Sequence, residues 1–223
     1  MKKKRVAESG RTKPQQSRSR ATVAIILDAT IRIFEQEGAD AATTSRIAEV
    51  AGVSVGTLYQ YFGNRDAILA ALQDREFERA SAMLDRVLAG ARGAAGRDVA
   101  RAVVTGLFEL YRAAPALHRV LAVEGLRVTP TERVLAFDAR AVGAIKAFLA
   151  FGGSTVRRDN VDAAAFVVYQ SVRATMLGYL LERPAGIDDA ALTEELADLV
   201  ERYLVETGDA GRSRPKRSAG ARR

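Results

Sequence analysis

Between residues 22 and 206 the apolar positions recur at helical spacing, and short breakers cut the pattern into segments. Segment 22–37 carries Ile26, Ala29, Ile33 and Phe34 on one face and stops at Gly38. Thr43, Thr44 and Ser45 are N-cap candidates for a short helix over 45–51, with Ile47, Ala48 and Ala51 turned inward and Gly52 as the turn beyond it. Ser54 can cap a helix over 54–62 that Gly63 ends, and Asn64 can cap a long one reaching about Leu88. After the break GARGAAG, further segments fall at 97–113, 115–125, 131–151, 160–182 and 188–206. Their breakers are Pro115, Thr129-Pro130, Gly152-Gly153 and Pro184-Ala185-Gly186. No other stretch alternates convincingly, so the pattern predicts an all-α fold of about nine helices.

One stretch resists this reading. VSVGTLYQYF, residues 53–62, is rich in β-formers yet lies between good helices. Wound at about 100° per residue, it groups Val55, Leu58, Tyr59 and Phe62 on one side, with Leu58 and Phe62 as core anchors. Gly56, Thr57, Gln60 and Tyr61 fall opposite, on a neutral face nearly free of long flexible chains. A solvated helix face normally carries Glu and Lys; this one is built to press against a surface. Gly56 permits close backbone approach, Thr57 and the tyrosine hydroxyls can donate to phosphate oxygens, and Gln60 can reach a base edge. Three short helices over 22–63 form a helix-turn-helix, whose second helix is presented to the DNA major groove.

Charge sharpens this picture. Residues 1–20 carry eight Lys/Arg against Glu8, and residues 208–223 carry six against Asp209. The chain total of +7 therefore leaves the body, 21–207, at −5. Both ends are also rich in Ser, Gly and Pro, so 1–20 and 208–223 are expected to be basic disordered arms. Such arms either aid solubility or grip a polyanion electrostatically. Segment 21–66 sets Arg32, Arg46 and Arg65 against six acids, so a DNA-binding unit there must draw its positive charge from the arm. With no cysteine, disulfides and thiolate chemistry are excluded, and the lone His118 leaves a metal site to carboxylates. No catalytic residues, metal or cofactor are expected. No apolar run reaches the length of a bilayer span and no signal-peptide core follows the basic N-terminus, so a cytoplasmic protein with no membrane partner is expected.

From Val23 to Leu72 the chain resembles the TetR family of bacterial transcriptional regulators. The resemblance rests on Phe34 and Gly38, on the run Thr43 to Ala48, and on AGVSVGTLYQYF from Ala51 to Phe62 continued by Arg65 and Ile68-Leu69. It implies an Ω-shaped homodimer with an N-terminal DNA-binding domain over 21–66 and a ligand-binding and dimerisation domain over 67–207. Carried over by position, it implies that Thr44 opens the second helix beside a phosphate, with Thr43 and Ser45 beside it. Ser54 caps the third helix, on which Val55, Gly56, Thr57 and Gln60 would read bases. Tyr59 and Tyr61 would hold phosphates, and Arg65 would grip the backbone from the start of the fourth helix. The basic N-terminal arm resembles a minor-groove or backbone clamp.

The resemblance also implies that 160–182 and 188–206 pair with the same helices of a second copy, and that a small molecule binds among the helices between. Phe108, Tyr111, His118, Phe148, Tyr169 and Arg173 are the aromatic and polar candidates for that site, though each taken singly is more readily a core or solvated residue. Arg173 stands in an apolar stretch and needs a partner: Glu109, Glu124 or an anionic ligand. The function expected is a sequence-specific DNA-binding regulator, most simply a repressor released from a palindromic operator by a small molecule. The alternative is a sequence-indifferent nucleoid or scaffold protein that binds through its basic tails.

Overall fold

The computed structural model describes residues 12–91, 93–151 and 160–204. The helices are α1 (Thr12–Gln36), α2 (Thr44–Ala51), α3 (Val55–Tyr61), α4 (Arg65–Gly90), α5 (Gly96–Ala113), α6 (Pro115–Val120), α7 (Leu126–Val128), α8 (Thr131–Phe151), α9 (Val161–Glu182) and α10 (Asp189–Leu204). A π-helical turn, Leu121–Gly125, joins α6 to α7, so 115–128 is one rod and the described residues hold nine helices. The sequence pattern predicts a plain helix over 115–125 and does not show the π turn, which arises where Gly125 packs against the Gln73 side chain of α4.

Side chains cap the helices as the pattern predicts. Thr43 Oγ1 accepts from Arg46 N at 3.2 Å, Ser54 Oγ from Thr57 N at 2.9 Å, and Asn64 Oδ1 from Ala67 N at 2.8 Å. Gly52 ends α2 at φ 67°, a left-handed turn that glycine adopts without cost, and so sets the angle between α2 and α3.

Helix α1 differs from expectation. Composition predicts disorder over residues 12–20, yet α1 begins at Thr12. Pro14 falls in its first turn, where a missing N–H costs nothing, and the Gln and Arg residues beyond it extend a helix that needs no new nucleus. Residues 1–11 of the predicted N-terminal arm, the predicted C-terminal arm 208–223, and residues 205–207 before it lie outside the described residues.

Two packing units result. In the first, α1, α2, α3 and the start of α4 bury Ile26, Ile33, Ile47, Leu58 and Leu69 almost completely. Leu117, Val120 and Leu121 of the 115–128 rod belong to the same cluster. Glu35 of α1 reinforces the junction: its carboxylate accepts from Ala116 N at 2.9 Å and Leu117 N at 3.1 Å, a negative charge on the amino end of α6. In the second unit α5, α8, α9 and α10 pack around Val104, Phe108, Leu149, Met176 and Val200. Helix α4 runs through both, and Gly106 lets α5 approach it so closely that a Cβ there would lie 2.7 Å from Met83 Sδ.

Helix α9 is long and apolar enough to span a membrane by composition alone (mean hydropathy 1.2), contrary to the expectation that no run reaches that length. The reason is packing: part of its apolar surface meets α8, α10 and a central cavity, and Phe166, Val167 and Leu181 lie exposed on another side.

Candidate functional site

Helices α2 and α3 present one polar surface. Thr43, Ser45, Ser54, Val55, Gly56, Tyr59 and Gln60 are exposed, and Thr44 and Thr57 are half-buried. The Thr44 hydroxyl lies 3.1 Å from the Tyr59 hydroxyl, which brings the amino end of α2 and the middle of α3 together. Ser54 Oγ lies 2.8 Å from Thr57 Oγ1. These hydroxyls, the bare backbone at Gly56 and the Gln60 amide offer phosphate donors beside base-reading groups.

The helical wheel misassigns three positions. Val55 is 41% and Tyr59 51% exposed, although the wheel puts both on the core side, whereas Tyr61, which it turns outward, packs partly against the core. Only Leu58 is fully buried on this seven-residue helix, and Phe62, already extended, tucks in behind it. The helix therefore rolls so that Tyr61 rather than Tyr59 flanks the anchor.

Arg65 does not stand free to hold a phosphate, as the resemblance implies. Its guanidinium instead donates to both carboxylate oxygens of Glu124, at 2.7 and 3.2 Å, and to Ala39 O at 3.5 Å. The carboxylate holds the Arg65 pKa above its ordinary value, and the guanidinium holds that of Glu124 below. Arg46 is likewise neutralised by Glu37 and Glu49, each at 2.8 Å, and Arg32 donates to Val50 O at 3.4 Å. The exposed Arg18 and Arg20 near the start of α1 carry charge outward.

Behind this unit a cavity of about 300 Å³ lies among α4, α5, the 115–128 rod, α8 and α9. Tyr111, His118, Phe148, Tyr169 and Arg173 line it. Phe108 does not: it is buried beside the lining face of α5, in a cluster with Val104 and Met176, and edge-on to Tyr179 at 5.5 Å. The wall is overwhelmingly apolar, with Phe77 stacked on Phe137 at 4.4 Å between ring centres. His118 Nε2 lies 3.1 Å from Leu110 O and 3.6 Å from Glu76, and burial pushes its pKa below the ordinary histidine value. The Tyr169 hydroxyl donates to Asp138, and burial with this bond pushes the phenol pKa up. Sequence reasoning misses Phe77, Phe137, Asp138 and Glu76, whose helical spacing reads as ordinary amphipathic surface.

A glycine-turned helix pair with an exposed hydrogen-bonding second helix, joined to a helical body that encloses an apolar cavity, defines a helix-turn-helix architecture with an internal space large enough for a small molecule. The family model described as bacterial regulatory proteins, tetR family, matches residues 26–72, and that of the tetracyclin repressor-like C-terminal domain matches 97–204. The chain belongs to the TetR family of bacterial regulatory proteins. It is 47% identical over 66 residues to the HTH-type transcriptional repressor KstR of Mycolicibacterium smegmatis, a match spanning 29% of this chain and 32% of that relative. The chain thus spans about a third of the length of the curated KstR repressor it matches. Its fold is similar to that of FadR from Bacillus subtilis, solved with stearoyl-CoA (TM-score 0.63, 20% identity, 81% of this chain and 98% of that one). It is also similar to that of Thermus thermophilus FadR, solved with lauroyl-CoA (TM-score 0.60, 20% identity, 85% and 98%).

Proposed function

We propose that this protein is a homodimeric transcriptional repressor that binds a palindromic operator through α2 and α3 and releases it when a small molecule enters the central cavity. The observation that carries this reading is the sharing of walls. The rod 115–128 contributes Leu117 and Leu121 to the core of the DNA-binding unit, while His118, Leu121 and Ala122 face the cavity. A ligand that requires a different seat for the rod shifts α1 and α4 with it. A tenfold drop in DNA affinity needs only about 1.4 kcal/mol of preference for the released state.

Thr43, Thr44, Ser45, Ser54, Gly56, Thr57, Tyr59 and Gln60 are assigned to DNA, with Val55 exposed beside them for a thymine methyl. Arg65 is assigned to coupling instead of phosphate binding. Dimerisation is assigned to α9 and α10: Phe166, Val167 and Leu181 of α9 and Leu199 of α10 are exposed, and Ala163, Ala174 and Gly178 allow close approach between them. The protein acts by binding rather than catalysis, in the cytoplasm, without a cofactor.

Selection from random-sequence DNA, using protein trimmed of residues 1–11 and 205–223, tests this. Enrichment of an inverted repeat supports the repressor; the absence of any enriched sequence would point to a scaffold that binds through its tails.

A further inference from the structure

Among the acids, arginines and histidine of the cavity wall, all but one already have a partner. Asp138 accepts from Tyr169, Glu76 accepts from Arg79 at 3.1 Å, Arg140 donates to Asp85 at 2.6 Å, and His118 is held to Leu110 O. Arg173 is the exception. It is half-buried on α9, lines the cavity, and makes no hydrogen bond or ion pair among the described residues. Both acids that the sequence offers it are elsewhere: Glu124 holds Arg65, and Glu109 is exposed on a groove between α4 and α5. Tyr169 lies one helical turn before it on α9, and Tyr111 of α5 lines the same cavity.

We propose that the effector is an apolar molecule ending in a single carboxylate, which pairs with Arg173 between Tyr111 and Tyr169 while its hydrocarbon body fills the space beside Phe77, Phe137 and Phe148. This rests on the reading of the cavity as the effector site. A guanidinium in apolar surroundings is costly without an anion, and its planar fork matches a carboxylate with two parallel hydrogen bonds. A phosphate dianion asks for more cations than this wall supplies. An alcohol or a thioester carbonyl leaves the charge of Arg173 unanswered, and an ammonium is repelled by it. The cavity volume lies at the small end of the range for ligand sites and suits a medium-length chain.

The test is calorimetric titration of the full chain with dodecanoate, dodecanol, dodecylammonium and dodecanoyl-CoA. It is run on the wild type, Arg173→Gln, Arg173→Lys and the cavity-filling Ala141→Trp, with thermal melts to establish folding. Dodecanoate is expected to bind at least tenfold more tightly than dodecanol. That preference vanishes in Arg173→Gln and survives in part in Arg173→Lys, and Ala141→Trp abolishes all binding. If dodecanol or dodecanoyl-CoA binds as tightly as dodecanoate and Ala141→Trp still blocks it, the carboxylate proposal is overturned while the effector cavity stands. If no probe binds, or Ala141→Trp leaves binding unchanged, both fail together.

Discussion

Arg65, the first residue of α4, and Glu124, in the π turn, meet through two hydrogen bonds across 59 positions of sequence, each side chain 28% exposed. This pair ties the helix-turn-helix to the wall of the cavity. Glu124→Gln is expected to lower stability by about 1 kcal/mol, and a double-mutant cycle with Arg65→Ala to return a coupling of similar size. Arg65→Lys will not restore it, because an ammonium cannot make both bonds. Urea denaturation of the four proteins measures this; a coupling of zero would show that the pair does not tie the two units together.

The hydroxyls of Thr44 and Tyr59 form an exposed hydrogen-bonding pair on the proposed DNA face. Tyr59→Phe removes one oxygen and no packing. A bond to a charged phosphate is worth about 1.5–3 kcal/mol, so operator affinity should fall at least tenfold with the melting temperature unchanged. Gel-shift titration beside a thermal melt separates the two effects.

Leu58 is fully buried beneath this same helix. Leu58→Ala should cost about 2–5 kcal/mol by the cavity it leaves, read by urea denaturation. Val55→Ala, on the exposed side, should cost little.

Leu58, Tyr59 and Arg65 also mark what a sequence can and cannot carry. Thr43, Ser54, Asn64 and Gly52 act on their own neighbours, so the helices they bound are legible. Leu58 is legible as an anchor because burial follows from spacing alone. The roll of a seven-residue helix is not: Tyr59 and Tyr61 stand on nearly opposite sides of it, and tertiary packing decides which of them turns toward the core. Nor is Arg65, whose partner lies in a different helix. The cavity is legible as a region, through Tyr111, Tyr169 and Arg173, while Phe108, one turn from the lining Val104 and Tyr111, is taken up by packing against Tyr179 of α9 instead.

His118 gives the fold a pH dependence. Burial lowers its folded pKa below the ordinary 6.5, and Arg79 also lowers it, while Glu76, Glu35 and the Leu110 carbonyl oppose that shift. The unfolded chain therefore takes up the proton first as pH falls. The contribution of the neutral ring is complete above pH 6.5 and is lost as pH drops below it toward the folded pKa. Stability measured from pH 7.5 to 5 should fall more steeply in the wild type than in His118→Asn. Parallel curves would contradict this.

Arg32, Arg46 and Arg65 are each engaged within the protein, so salt-dependent DNA binding is expected to come from α1. Replacing exposed Arg18 and Arg20 by Ala should lower the slope of log affinity against log salt by about 0.9 for each phosphate no longer neutralised, with the preferred sequence unchanged. Binding isotherms at graded salt measure it.

Sequence-specific repression requires α2 and α3 of two subunits to read a two-fold symmetric site. A DNase footprint at physiological salt with competitor DNA, on the DNA flanking the coding region and on the selected repeat, tests this without intermediates. One compact protected patch with symmetric half-sites is expected, abolished in Gln60→Ala combined with Tyr59→Phe. Diffuse protection that survives those substitutions would contradict it.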